Sequence, residues 1–130
     1  MSISDSLDFE PWLKAAFAEA QGFTALVVLV EIGEDTVTPV ASTYFHLIGD
    51  ELTWADFAGL LARAGQAWNG VVIYPTRDED GGPVPDYLAR IKLREAELKL
   101  GEDRIHINDG AFFDNWGRRL RIEEAAKTVQ

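Results

Sequence analysis

The chain contains no cysteine among its 130 residues. It can therefore form no disulfide, no thiolate metal site and no cysteine nucleophile, and its composition suits a reducing compartment, so a cytoplasmic location is expected. Histidine is scarce too, with only His46 and His106 present. A zinc site would need both of them together with carboxylates, and they do not form a closely spaced ligand pair, so no metal and no cofactor is expected. Long hydrophobic runs are also missing. The longest, Ala25–Val30, is strand-sized, far short of the roughly 20 residues a membrane helix needs. The opening residues, MSISDSLDFEP, carry neither a basic start nor an apolar run, so no signal peptide and no membrane partner are expected.

Positive charge is missing from one half. Residues 1–60 carry ten acids and a single base, Lys14, whereas residues 61–130 carry twelve acids and eleven bases. The resulting net charge of −10 argues against nucleic acid as a partner. The acidic half has two readings: it faces a basic protein partner, or it sits beside the arginines of its own C-terminal half. Nucleotide signatures are absent as well. Gly81-Gly82 follows Asp78, Glu79 and Asp80, which would repel a phosphate, and no Lys-Ser/Thr comes after them. Those three acids lack the alternating ligands and distal Glu of a calcium-binding loop, so a solvated loop is the simpler reading. No repeat, low-complexity segment or sustained heptad is present.

What the chain does have is material for a core. Hydrophobic residues make up 47%, with four Trp and seven Phe, enough for one domain without staples. The expected class is α+β: a single domain over residues 1–130, with a mixed or antiparallel sheet, two to three helices packed on it and a C-terminal β-meander. Residues 1–7 and 124–130 are expected to fray, and 76–85 (TRDEDGGPVP) to form a mobile loop. Taken in order, Asp8 can cap a helix over 8–21 whose stripe is Trp12, Leu13, Ala16, Phe17 and Ala20. Residues 23–32 (FTALVVLVEI) read as a central strand covered on both faces. Residues 37–48 return antiparallel, and Pro39 places them at an edge or a bulge. His46 in that strand reads as a hydrogen-bonded structural residue. Thr53 caps a helix running to about Ala67, with Asp56 three positions on. Residues 71–74 form a short strand ending at Pro75. Residues 87–100 read as a helix by composition and length, with two short strands, 89–93 and 96–100, as the alternative.

The densest mix of turn signals, aromatics and charge lies between Gly101 and Ile122. Alternation at 104–107, the Asn108-Asp109-Gly110 turn, the aromatic 111–114 and the Asn115-Trp116-Gly117 reversal before 118–122 predict a three-stranded antiparallel meander. His106, Asp109, Asp114, Arg118 and Trp116 are its candidate ligand-binding residues. The simpler explanation is that the Asn and Asp residues serve turn geometry, and no residue is assigned a catalytic role. The expected function is therefore a non-enzymatic protein–protein interaction module of adaptor, assembly or inhibitor type. Its partner would be another protein, basic if the acidic half is the contact, or a second copy in a homodimer, with an edge strand (37–48 or 118–122) pairing across a two-fold axis. The four tryptophans are candidate interface anchors. The alternative is a small-ligand-binding protein or enzyme that uses His106, Asp109, Asp114 and Arg118.

Overall fold

The computed structural model describes residues 8–20, 22–34, 36–49 and 51–122. The expected frayed ends, 1–7 and 124–130, lie outside the described residues. The elements follow the order α1 (Phe9–Ala20), β1 (Phe23–Ile32), β2 (Val37–Leu47), α2 (Trp54–Ala62), β3 (Gly70–Thr76), α3 (Asp86–Glu102), a 3-10 segment (Arg104–Asp109), β4 (Ala111–Asp114) and β5 (Arg119–Leu120). The strands make one five-stranded sheet in the order β2-β1-β3-β4-β5, with every neighbouring pair antiparallel. The α+β class, the antiparallel sheet and the helices on it are as the sequence predicts.

β1 is the spine of the sheet. Residues Phe23–Val30 are buried without interruption, because the strand has a neighbour on each edge and helices on each face. Successive side chains alternate between faces. Phe23, Ala25, Val27 and Leu29 join Phe9 and Leu13 of α1, Trp54, Phe57 and Leu61 of α2, and Ala111 and Phe113 of β4 in one cluster. Val28 and Val30 join Val72, Phe112, Leu100 of α3 and Ile107 of the 3-10 segment in a second. So α1 and α2 close one face of the sheet, and α3 with the 3-10 segment closes the other.

The expected edge position of β2 is observed, and its register with β1 shifts between Leu29 and Val30. That irregularity sits beside Pro39, which cannot donate to a ladder. α2 begins as expected, with Thr53 Oγ1 accepting from Asp56 N–H at 3.1 Å, but it stops at Ala62 and does not reach Ala67. Gly65 adopts φ 72°, a left-handed conformation that turns the chain out of the helix. β3 runs through Pro75 instead of ending there. β4 reaches only as far as Ile73, so Tyr74–Thr76 has a strand on one side alone, where a proline costs less. α3 is a helix of 17 residues, which settles 87–100 in favour of composition over the two-strand alternative.

One expected strand is replaced. Residues 104–107 are not extended: Asp103 Oδ1 accepts from Ile105 N–H at 3.1 Å, and backbone bonds from His106 N–H to Asp103 and from Gly110 N–H to Ile107 close tight turns. The polar–Ile alternation over four residues is too short to separate a strand from a turn that buries only Ile107. The place beside β4 is taken by β3. Asn108 is likewise no hairpin turn residue. Its amide pairs with the backbone of Ile122, accepting at 3.0 Å and donating at 2.7 Å, and so acts as a short imitation of a strand partner.

Candidate functional site

The residues singled out from the sequence fall into two groups, at opposite ends of β4. His106 and Asp109 precede the strand. They stand three apart, which a 3-10 turn brings onto one side, and His106 Nδ1 lies 3.1 Å from Asp109 Oδ2. Asp114 ends the strand, and Trp116 and Arg118 follow it. Four residues of strand separate the groups by about 10 Å, so His106, Asp109, Asp114 and Arg118 do not converge on one substrate.

The second group is explained by the β4–β5 turn. Asp114 Oδ1 accepts from the N–H groups of Trp116 and Arg118, each at 2.9 Å, and Oδ2 accepts from Arg118 Nε at 2.7 Å. Gly117 at φ 85° completes the reversal, as expected of a three-residue hairpin loop with its last residue left-handed. The carboxylate is spent on three donors of its own loop. The Arg118 guanidinium in turn covers the Trp116 ring at 4.9 Å, leaving that tryptophan 54% exposed.

The first group borders a cleft. A concavity of about 260 Å³ opens between α3 and the end of β3, lined among others by Lys92, Glu95, Lys99, Tyr74, His106 and Asp109. The Tyr74 hydroxyl donates to the His106 carbonyl at 2.9 Å. Burial, with the Asp109 carboxylate adding to it, pushes this hydroxyl well above the ordinary phenol range, so it is a fixed donor and no base. The cleft mixes two ammonium groups with two carboxylates, which suits binding of a polar molecule more than any particular reaction.

A third arrangement escaped the sequence reading. His46 Nδ1 lies 2.8 Å from Thr24 Oγ1, and His46 Nε2 lies 2.6 Å from Asp86 Oδ1. The order hydroxyl, imidazole, carboxylate resembles a nucleophilic triad, but Thr24 is 0% exposed and its oxygen also accepts from Val84 N–H at 3.0 Å. An ionised carboxylate only accepts, so His46 Nε2–H donates to Asp86, while Nδ1 shares the bond with the Thr24 hydroxyl. No substrate can reach that oxygen. The relay instead ties the loop before α3, and the start of α3, to the sheet. Thr24 is the one polar residue within FTALVVLV, and that was the available signal.

Comparison with protein-family models, with curated proteins and with solved structures gives no match. The surface therefore has to speak from its own chemistry. Among the described residues no group of three or more His, Cys, Asp or Glu is placed to hold a metal ion, and no helix is long and apolar enough to cross a membrane.

The two edges of the sheet differ in what they present. β5 is two residues long and carries Arg119. β2 is eleven residues long and has no Lys, Arg, Asp or Glu: VTPVASTYFHL. Its first four residues are blunted by Pro39 and the register shift, whereas Ala41–Leu47 is a regular stretch with no strand on its outer side. Beside it, a groove of about 430 Å³ runs between β2 and α2, lined by Leu29, Ala41, Thr43, Phe45, Leu60 and Ala64 among others.

Proposed function

We propose that the protein is a cytoplasmic protein–protein interaction module, and that β2 is the element that makes the contact. The observation that carries this reading is the uncharged edge Ala41–Leu47 beside the groove against α2. A long edge strand offers a row of unpaired N–H and C=O groups, and proteins that remain alone blunt such edges with charge, proline or brevity. β5 is blunted in that way and the middle of β2 is not. An extended segment added there would gain main-chain hydrogen bonds from the edge and apolar contact from the groove, the usual division between affinity and specificity in strand addition.

The test is a tagged pull-down from the source cells at low and moderate salt, with the wild type and with Thr43→Lys. Capture through an uncharged edge persists as salt rises and disappears in Thr43→Lys. Capture that is lost with salt but survives the lysine would move the contact to the acidic residues of the N-terminal half.

A second reading has one observation in its favour, the cleft bounded by His106 and Asp109. If a small polar ligand binds there, a metabolite screen by thermal shift finds a stabiliser whose effect is lost in Lys99→Ala and Asp109→Ala. No stabiliser, or one indifferent to both changes, removes this reading.

A further inference from the structure

We infer that the segment that occupies the β2 edge is β2 of a second copy, paired antiparallel across a two-fold axis at Tyr44, so that the two five-stranded sheets join into one of ten strands. The inference rests on the edge-strand reading above and names its partner.

Three observations point to a copy of this chain. The first is charge. The chain carries a net −10, so two copies repel wherever their acidic surfaces meet, and a homodimer is favoured where the contact has no charge. β2 is the longest element without Lys, Arg, Asp or Glu, it lies at the rim, and the groove beside it adds one cation, Arg63, and no acid. The second is symmetry. A two-fold contact brings the same patch together with itself, and the unblunted stretch Ala41–Leu47 has its midpoint at Tyr44. Centred there, Tyr44 meets the partner copy's Tyr44, Thr43 meets Phe45, Ser42 meets His46 and Ala41 meets Leu47. Residues opposite one another in an antiparallel pair share a face, so no apolar side chain in this set is turned to the polar side. The third is the groove. Ala41, Phe45 and Leu47 are only partly buried although they pack on the α1/α2 core, because β2 has no neighbour to finish that layer. A second β2 would continue the layer beside Leu60 and Ala64 of α2.

The other side of the edge is already arranged. Ser42, Tyr44 and His46 are bonded to Glu97, Arg90 and Asp86 of α3 respectively. These polar side chains are held back against α3, which keeps the strand backbone accessible from outside.

The experiment uses the intact protein and its lack of cysteine. Sedimentation equilibrium at about 100 μM, well above the micromolar Kd that interfaces of standard size reach, should give a species of about 29 kDa, twice the 14.4 kDa chain. Thr43→Lys should return it to the single-chain mass, with circular dichroism unchanged to show that the variant folds. Tyr44→Cys should cross-link under mild oxidation, because opposed residues in an antiparallel ladder have Cα atoms about 4.5–5.5 Å apart, within disulfide reach. Leu120→Cys at the other edge should cross-link at least tenfold more slowly. A single-chain mass for the wild type overturns the inference, and so does a dimer that withstands Thr43→Lys and leaves Tyr44→Cys unlinked. A wild type that stays single yet captures a different protein, losing it in Thr43→Lys, overturns the second-copy inference while the edge-strand reading stands.

Discussion

The two faces of the sheet are closed by different chemistry. On the α1/α2 face the closure is aromatic: Phe9 stacks on Phe57 at 5.1 Å, meets Trp54 edge-on at 5.2 Å and Phe113 at 5.5 Å, and Trp12 meets Phe113 at 5.7 Å. On the α3 face the apolar cluster is smaller, and the side of the helix nearest β2 is held by polar pairs from Ser42, Tyr44 and His46. The outer side of α3 exposes Tyr87, Ile91 and Leu98. Burial of ring area stabilises whatever the direction of approach, whereas each polar tie depends on two atoms staying at hydrogen-bond distance. The first face therefore holds the fold, and the second fixes where α3 sits.

Truncation at the centre of the aromatic face is the largest break in that comparison. Phe113 is 0% exposed and touches Phe9, Trp12 and Trp54. Phe113→Ala should cost about 3–5 kcal/mol, a large share of the roughly 5–15 kcal/mol available to a domain. The same truncation at exposed Leu98 should stay within about 0.5 kcal/mol. Urea midpoints for the two variants check the contrast, and equal losses would refute it.

The next effect is at the β4–β5 turn, which belongs to the aromatic face. Asp8 Oδ2 accepts from Arg119 N–H at 2.8 Å, and the Arg119 guanidinium lies over Phe113. Asp114→Ala removes the acceptor for three donors and should cost about 1–3 kcal/mol, read as a lower thermal midpoint. If the loss is instead near zero, water replaces the carboxylate and the turn is held by Gly117 alone.

Much of this contrast was legible in the chain. β1 was readable because an unbroken apolar run has few alternatives to a strand buried on both faces, and the edge position of β2 because Pro39 restricts it. Thr53 and Asp56 announced the start of α2. Its end was misjudged, since a single Gly65 after LLARA weakens a helix without showing whether the chain continues to Ala67 or stops. The 3-10 segment was missed because a four-residue alternation fits two periods at once, and tertiary burial of Ile107 decides between them. The candidate cluster divided for a different reason: Asp109 precedes β4 and Asp114 ends it, so the strand separates them whether 104–109 is extended or coiled. Sequence could suggest His46 as a bonded residue, but its partners Thr24 and Asp86 lie 22 and 40 positions away, beyond any local pattern.

That relay supplies the third test. Thr24→Val keeps the shape and removes the hydroxyl, so Val84 N–H and His46 Nδ1 each lose a partner. The expected cost is about 1–3 kcal/mol, the usual penalty for a buried donor left unsatisfied. Hydrogen exchange at Val84 and at the first turn of α3 should accelerate more than exchange in β1. Uniform acceleration would mean that Thr24 serves the sheet and not the α3 face.

The smallest expected effect isolates charge within the same tie. The His46 hydrogen bond holds the Asp86 carboxyl below the ordinary aspartate value of 3.8; desolvation opposes this, and the Arg90 charge and a hydrogen bond from Tyr44 assist. A carboxyl whose folded pKa lies below its unfolded value stabilises the fold above the unfolded value, and that stabilisation is lost as the pH falls through the folded one. Asp86→Asn keeps an acceptor for Nε2–H but removes the charge. The wild type should therefore exceed the variant by a small, steady margin at pH well above 3.8, and the margin should close as the pH is taken below it. Because Asp86 is exposed to solvent, salt should shrink the margin as well. Urea midpoints of both proteins across acid pH and two salt concentrations measure it. A margin that persists at low pH would assign the tie to hydrogen-bond geometry alone, and the polar face of α3 would then owe nothing to ionisation.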